Sequence, residues 1–260
     1  MRQPPLFLAA ILILSACGAR PDAEPTPGGV PFDAAFLEAT TEQRQAAIQA
    51  ALGLGPLHAI LAVVSADADA LAGDCPSRTV LADAPFTVHY SAEGCDAKSG
   101  VRYDGEAEAV NLAPFNPTPE AGGAMELRVD AFSLTGGFPL WMDGEFRQTE
   151  SAPGLDYATH TRMTVEAGGQ SSTLRSSSRC VWSGETVRCT FDPDASGSVE
   201  GLGSFSIEGE FNLIGREGAI VLGGRDRLLM DVAATGADGC APLLVNDAKV
   251  DAYCLELQTP

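Results

Sequence analysis

The sequence predicts an α+β fold, mostly β: an N-terminal helical pair packed on a large curved antiparallel β meander, open-barrel or sandwich-like. Three observations carry that reading. Apolar residues recur at helical spacing up to Leu71, and from Cys75 onward the period changes to two. An even set of six cysteines lies wholly within the period-two part. A motif of an acid, a glycine and a glutamate recurs inside three of the alternating runs.

The chain opens with Arg2, an apolar stretch from Leu6 to Leu14 and the tetrad Leu14-Ser15-Ala16-Cys17. A cationic start and an apolar run too short to span a bilayer mark a secretory signal rather than a transmembrane helix. The tetrad resembles the lipobox of bacterial lipoproteins, a likeness confined to the first turn of events in the chain, residues 1–18. It implies a diacylglyceryl thioether on Cys17, cleavage before that residue and acylation of the freed amine. Gly18 in the next position favours the outer membrane over retention at the inner one. Several acyl chains, at about 0.8 kcal/mol per buried methylene, anchor far more firmly than a single chain. The expectation is a protein lipid-anchored to the bacterial cell envelope, with the membrane as its first partner. Residues 1–16 are then the signal peptide, and 17–31 the lipidated cysteine with a tether rich in Pro, Gly and Ala.

Residues 32–74 read as the helical pair. Thr40, followed three residues later by Gln43, has the form of a capping box, and the helical pattern runs to Leu52 before Gly53. Pro56 suits the first turn of a second helix, whose apolar stripe is Leu57, Ile60, Leu61, Val64, Ala68 and Leu71, with Gly73 as its stop. The short link at Gly53–Gly55 predicts two short helices packed antiparallel.

Residues 75–260 read as an antiparallel β domain that forms one globular unit with 32–74. Phe86, Val88 and Tyr90 alternate, as do Leu127 and Val129, then Phe132 and Leu134 after a bulge, and Met163 and Val165. Ten or so strands or more are implied. Apart from Cys17, the cysteines are Cys75, Cys95, Cys180, Cys189, Cys240 and Cys254, which in an exported protein read as three disulfides. Six cysteines allow 15 connectivities, and pairing of nearest neighbours is the reading taken. One pair follows from geometry. A two-residue loop at Gly184-Glu185 sets Ser183 opposite Thr186, Trp182 opposite Val187 and Cys180 opposite Cys189. The cysteines then fall on a non-hydrogen-bonded pair, where the α-carbons come close enough for a bridge, and their face, with Trp182 and Val187, is the buried one.

The recurring motif is Asp104-Gly105-Glu106, Asp143-Gly144-Glu145 and Glu208-Gly209-Glu210. Each glycine shares a face with the flanking apolar residues, which leaves room for a bend in a curved sheet or for close approach of a helix. The acids point outward and supply much of the formal charge of −19. Such a charge makes nucleic acid a poor partner, because it repels phosphate.

Asp192, Asp194, Ser196 and Glu200, with Gly197 at the sixth position, match the front half of an EF-hand calcium loop. The twelfth position is Gly203, where a bidentate Glu belongs, so a plain Pro/Asp/Ser/Gly turn competes with a calcium-stiffened loop. No other cofactor is expected. His58, His89 and His160 lie far apart with no metal-binding or triad spacing, the run Ser176-Ser177-Ser178 reads as a solvated edge or the start of a strand, and Trp141 and Trp182 read as core. The chain is therefore expected to be no enzyme, but an envelope lipoprotein that binds a partner or serves a structural role at the membrane surface. The alternative is a carrier or receptor for an apolar or lipid ligand in a half-barrel cavity. In architecture alone it resembles the open-barrel lipoprotein carriers and receptors of the outer membrane. A hydrolase would require Asp, Glu and His side chains to converge in one cleft.

Overall fold

Thr40 starts the helical part as expected: its hydroxyl accepts from the Gln43 N–H at 3.2 Å, and the Gln43 side chain accepts from the Thr40 N–H at 3.0 Å. The computed structural model describes residues 31–112, 115–116, 123–136, 139–152, 156–183 and 186–254. Helix α1 spans Thr41–Ala51, and α2 spans Leu54–Ala72 after a left-handed Gly53. Fourteen strands follow: β1 (Ser77–Leu81), β2 (Thr87–Asp96), β3 (Arg102–Val110), β4 (Met125–Thr135), β5 (Leu140–Ala152), β6 (Asp156–Ala167), β7 (Gln170–Ser183), β8 (Thr186–Phe191), β9 (Ser196–Val199), β10 (Gly203–Asn212), β11 (Glu217–Gly223), β12 (Arg227–Asp231), β13 (Cys240–Val245) and β14 (Ala248–Cys254).

All fourteen form one antiparallel sheet in chain order, with β8 and β9 sharing a single place between β7 and β10. They are two halves of one strand. Ser178 pairs with Phe191 and Arg175 with Ser196, so residues 192–195 are extra chain set against the two β7 residues between those pairs. The predicted bulge in β4 lies between Val129 and Phe132, where Ala131 takes φ 47°.

The sheet curls twice. In a flat sheet β7 and β14 would stand six strand spacings apart, about 29 Å. Both nevertheless touch α1, a cylinder about 10 Å across, and β1 and β6 both touch α2. Each half of the sheet is therefore wrapped around its own helix. In the first half, Ala59, Ile60, Val63 and Ala66 of α2 meet Tyr90, Tyr103, Phe132, Met142 and Met163. In the second, Ile48 of α1 and Phe36 meet Phe205, Ile207, Ile220, Leu228 and Leu243, with the Phe36 and Phe205 rings 5.9 Å apart.

Two expectations for the helices need correction. The second helix is not short but 19 residues long, and the two touch each other while most of their buried side chains lie in different halves of the core. The buried stripe of α2 is also different: Leu57 and Ile60 face inward, joined by Ala59, Ala62, Val63 and Ala66, whereas Leu61, Ala68 and Leu71 face out. A helix that is apolar almost all round carries no periodic signal for its rotation. Small Ala side chains let it approach the sheet, and polar ties described below fix its angle.

The disulfides are Cys75–Cys95, Cys180–Cys189 and Cys240–Cys254. Cys180 and Cys189 face each other across the β7–β8 hairpin, with Trp182 opposite Val187 and Ser183 opposite Thr186, the register expected from the turn. Gly184 and Glu185 lie outside the described residues. Closing loops of this length restricts the unfolded chain by about 3 kcal/mol per bridge. The serine run is not an edge: β7 is paired on both sides, Ser176 and Ser178 are buried, and only Ser177 points outward. Trp141 likewise lies on the outer face, alternating with buried Leu140 and Met142, rather than in the core.

Gly105, Gly144 and Gly209 take φ of 89°, 127° and 124° in mid-strand. A β-carbon at any of them would fall on a neighbouring strand's carbonyl oxygen, that of Ala131, Arg162 or Ala219. What approaches these glycines is a neighbouring strand and not a helix, and the register shifts beside Gly105 and opposite Gly144.

Candidate functional site

Acids near the C-terminal end of a helix meet the negative end of its dipole, so Asp67 and Asp69 in the last part of α2 need partners. The sheet supplies them. The Tyr90 hydroxyl on β2 donates to Asp67 Oδ1 at 2.8 Å, and Arg78 Nε on β1 lies 2.5 Å from the same oxygen, an ion pair off hydrogen-bond angle. The Tyr103 hydroxyl on β3 donates to Asp69 Oδ2 at 2.8 Å, as does Ser99 Oγ at 2.9 Å. Lys98 Nζ donates to the Ala72 carbonyl at the helix end. Three strands thus hold one helical turn.

Burial, and next to it the Asp69 carboxylate, push the Tyr103 phenol up to about 12. Burial, then Asp67, push Tyr90 up as well. An unfolded tyrosine releases its proton near pH 10, while these keep theirs, so raising pH above about 10 favours the unfolded chain. Each phenol should cost about 1.4 kcal/mol of stability per pH unit in the window from about 10 to 12. Urea unfolding at stepped pH should show this slope, and Tyr103→Phe should reduce it; equal slopes in both proteins would contradict the assignment.

A second grouping crosses the outer face of three adjacent strands. His160 on β6 lies opposite Ser177 of β7, with Nδ1 3.1 Å from Ser177 Oγ, while Nε2 is 3.9 Å from Glu145 Oε1 on β5. A serine, a histidine and a glutamate in a row invite comparison with an acyl-transfer triad. The glutamate, however, is at ion-pair rather than hydrogen-bond distance. The row also lies on the outer face of the sheet. His89, on β2, instead stands 3.6 Å from Glu106, and burial lowers the pKa of His58 on α2. The three histidines do not converge.

The residues proposed for calcium are spread along the β8–β9 strand. Asp192 and Asp194 occupy its turn, where the Ala195 N–H donates to the Asp192 carbonyl; Ser196 is already in strand, and Glu200 follows the end of β9. Among the described residues no three His, Cys, Asp or Glu side chains gather to hold a metal ion. Cys17 lies outside the described residues. A cavity of about 220 Å³ opens between β8, β10 and β11, lined by Arg188, Glu210, Phe211, Asn212, Glu217 and Gly218. Arg188 and Glu210 form an ion pair of 3.1 Å at it.

The sequence reading missed both groupings. Paired carboxylates at the wrong end of an apolar helix were a legible signal for the first; the second depends on strand register and had none. Compared with known proteins, the chain matches no family model, no curated protein and no solved structure.

Proposed function

We propose that the chain is a non-catalytic envelope lipoprotein, held at a membrane by acyl chains on Cys17, which offers its sheet surface to a partner protein. The observation that carries this reading is the filled inner face: α1 and α2 occupy both curled halves of the sheet with buried side chains. For recognition of a protein the sheet offers its outer surface, where Asp104, Glu106, Asp143, Glu145, Glu208 and Glu210 stand exposed. An acidic face of this kind suits a cationic partner. Three disulfides fit an oxidising compartment, and Gly18 after the lipobox favours the outer membrane.

The carrier reading finds less support. A lipid-sized ligand needs an apolar volume of about 300–1,000 Å³. The cavity at Arg188 is smaller and lined by charges. Two measurements test the proposal together. Labelled palmitate should enter the wild-type protein in bacteria and not Cys17→Ser. Native mass spectrometry of residues 18–260, exported to an oxidising periplasm, should give a bare chain with three disulfides. A co-purified lipid would move the assignment to a carrier, and turnover of an ester that disappears in His160→Ala would move it to a hydrolase.

A further inference from the structure

The outward face of α2 is uncovered and uncharged. Leu61, Ser65, Ala68, Leu71 and Ala72 all lie on it and are exposed, Leu71 to 69 % and Leu61 to 40 %. At 100° per residue they fall within about 120° of one another, a stripe about 16 Å long. The helix has only two charged residues, Asp67 and Asp69, and both are drawn toward Tyr90, Arg78, Tyr103 and Ser99. By length and composition α2 is the one described helix apolar enough to cross a membrane, with mean hydropathy 1.3, yet its inner face is spent on the sheet. A helix apolar on both sides wants cover on both.

We infer that this stripe docks on the lipid bilayer, so that the domain lies with α2 against the membrane and its acidic sheet face turned away. The inference rests on the Cys17 anchor proposed above and adds an orientation to it. Two observations select lipid as the occupant. The stripe itself carries no carboxylate, whereas the exposed carboxylates of β3, β5 and β10 project from the outer face of the sheet, opposite the face on which α2 packs. In a chain of net charge −19, the α2 side can approach anionic headgroups with the least repulsion. It also ends at Lys98, whose ammonium sits on the last carbonyl of the helix, where a phosphate can be met.

The length of the tether agrees. The described chain begins at Pro31 and leads to Phe36, which is packed on Phe205 on the helix side of the sheet. Asp33 fastens this approach by accepting from the N–H and hydroxyl of Ser204 at 2.7 and 3.0 Å. Thirteen residues lie between Cys17 and Pro31, a reach of at most about 50 Å over the fourteen steps. An anchor attached there can reach a bilayer against which α2 lies.

The test uses the full lipidated chain reconstituted in vesicles of phosphatidylethanolamine and phosphatidylglycerol with brominated acyl chains. Tryptophan is placed on the stripe in Leu71→Trp and on the outer face in Glu208→Trp, both exposed sites, with the parent protein as the baseline for Trp141 and Trp182. Bromolipid should quench the added emission at least twofold in the first variant and leave the second at its value in unbrominated vesicles. A protein that floats with the vesicles but shows equal quenching at both sites overturns the docking and leaves the anchor standing. A protein that does not float refutes the anchor, and the docking with it. If the unlipidated chain sediments as a dimer that Leu71→Asp separates, a second copy covers the stripe and the lipid assignment is wrong.

Discussion

Gly144→Ala is expected to lower the unfolding free energy by about 3 kcal/mol or more. The glycine sits in the middle of β5 at φ 127°, a conformation that L side chains rarely adopt. Its added β-carbon would land on the Arg162 carbonyl oxygen of β6 and 2.8 Å from Met163 Cα. Both obstacles are backbone, and they belong to one of the two most extended pairings in the sheet, so neither can swing aside as a side chain would. Gly169→Ala is the control. It too has a positive φ, 79°, but it lies in the β6–β7 turn with nothing within 4 Å of the added atom. That change should cost about 1 kcal/mol, the backbone penalty alone. Urea denaturation of the two variants beside wild type separates the terms; similar losses at both sites would show that the sheet can relax around Gly144 and that its positive φ is not obligatory.

The second large effect is expected at Asp67. Asp67→Ala removes the acceptor of the Tyr90 hydroxyl and the ion-pair partner of the Arg78 guanidinium, in a place where their side chains have little water to turn to. Leaving a partly buried cation and a buried hydroxyl without their partner should cost about 2–4 kcal/mol. Asp67→Asn keeps an acceptor for Tyr90 and loses only the charge, so it should fall between wild type and Asp67→Ala. A cycle with Tyr90→Phe should give a coupling of about 0.5–3 kcal/mol. A loss below about 1 kcal/mol for Asp67→Ala would place the cluster with ordinary surface ion pairs and remove it as the device that sets the rotation of α2.

That rotation explains why part of the molecule was hidden in its sequence. The Thr40–Gln43 box, the bulge before Phe132 and the Cys180–Cys189 register were all legible, because each depends on residues within one turn or one hairpin. The glycine motif was legible to the extent that its glycines fell on the apolar face; that a neighbouring strand and not a helix approaches them appears only in their positive φ and in the carbonyls facing them. The stripe of α2 was misassigned at Leu61, Ala68 and Leu71, since neither face of that helix is polar enough to mark the outside. Ser177 and His160, 17 residues apart, meet only because β6 and β7 pair in one register among the alternatives their alternation allows.

The sequence by itself determined the class of elements, the change from helical to strand period, the local caps and turns, and the Cys180–Cys189 register, since all of these follow from backbone preferences and short loops. The tertiary structure alone decided that fourteen strands form one sheet curled around two separate helices, that Asp67 and Asp69 are held by β1, β2 and β3, and that an apolar face of α2 is left outside. The physical reason is that periodicity tells which residues share a face, while the identity of the neighbour across that face is set by register and curvature, which are properties of the whole sheet.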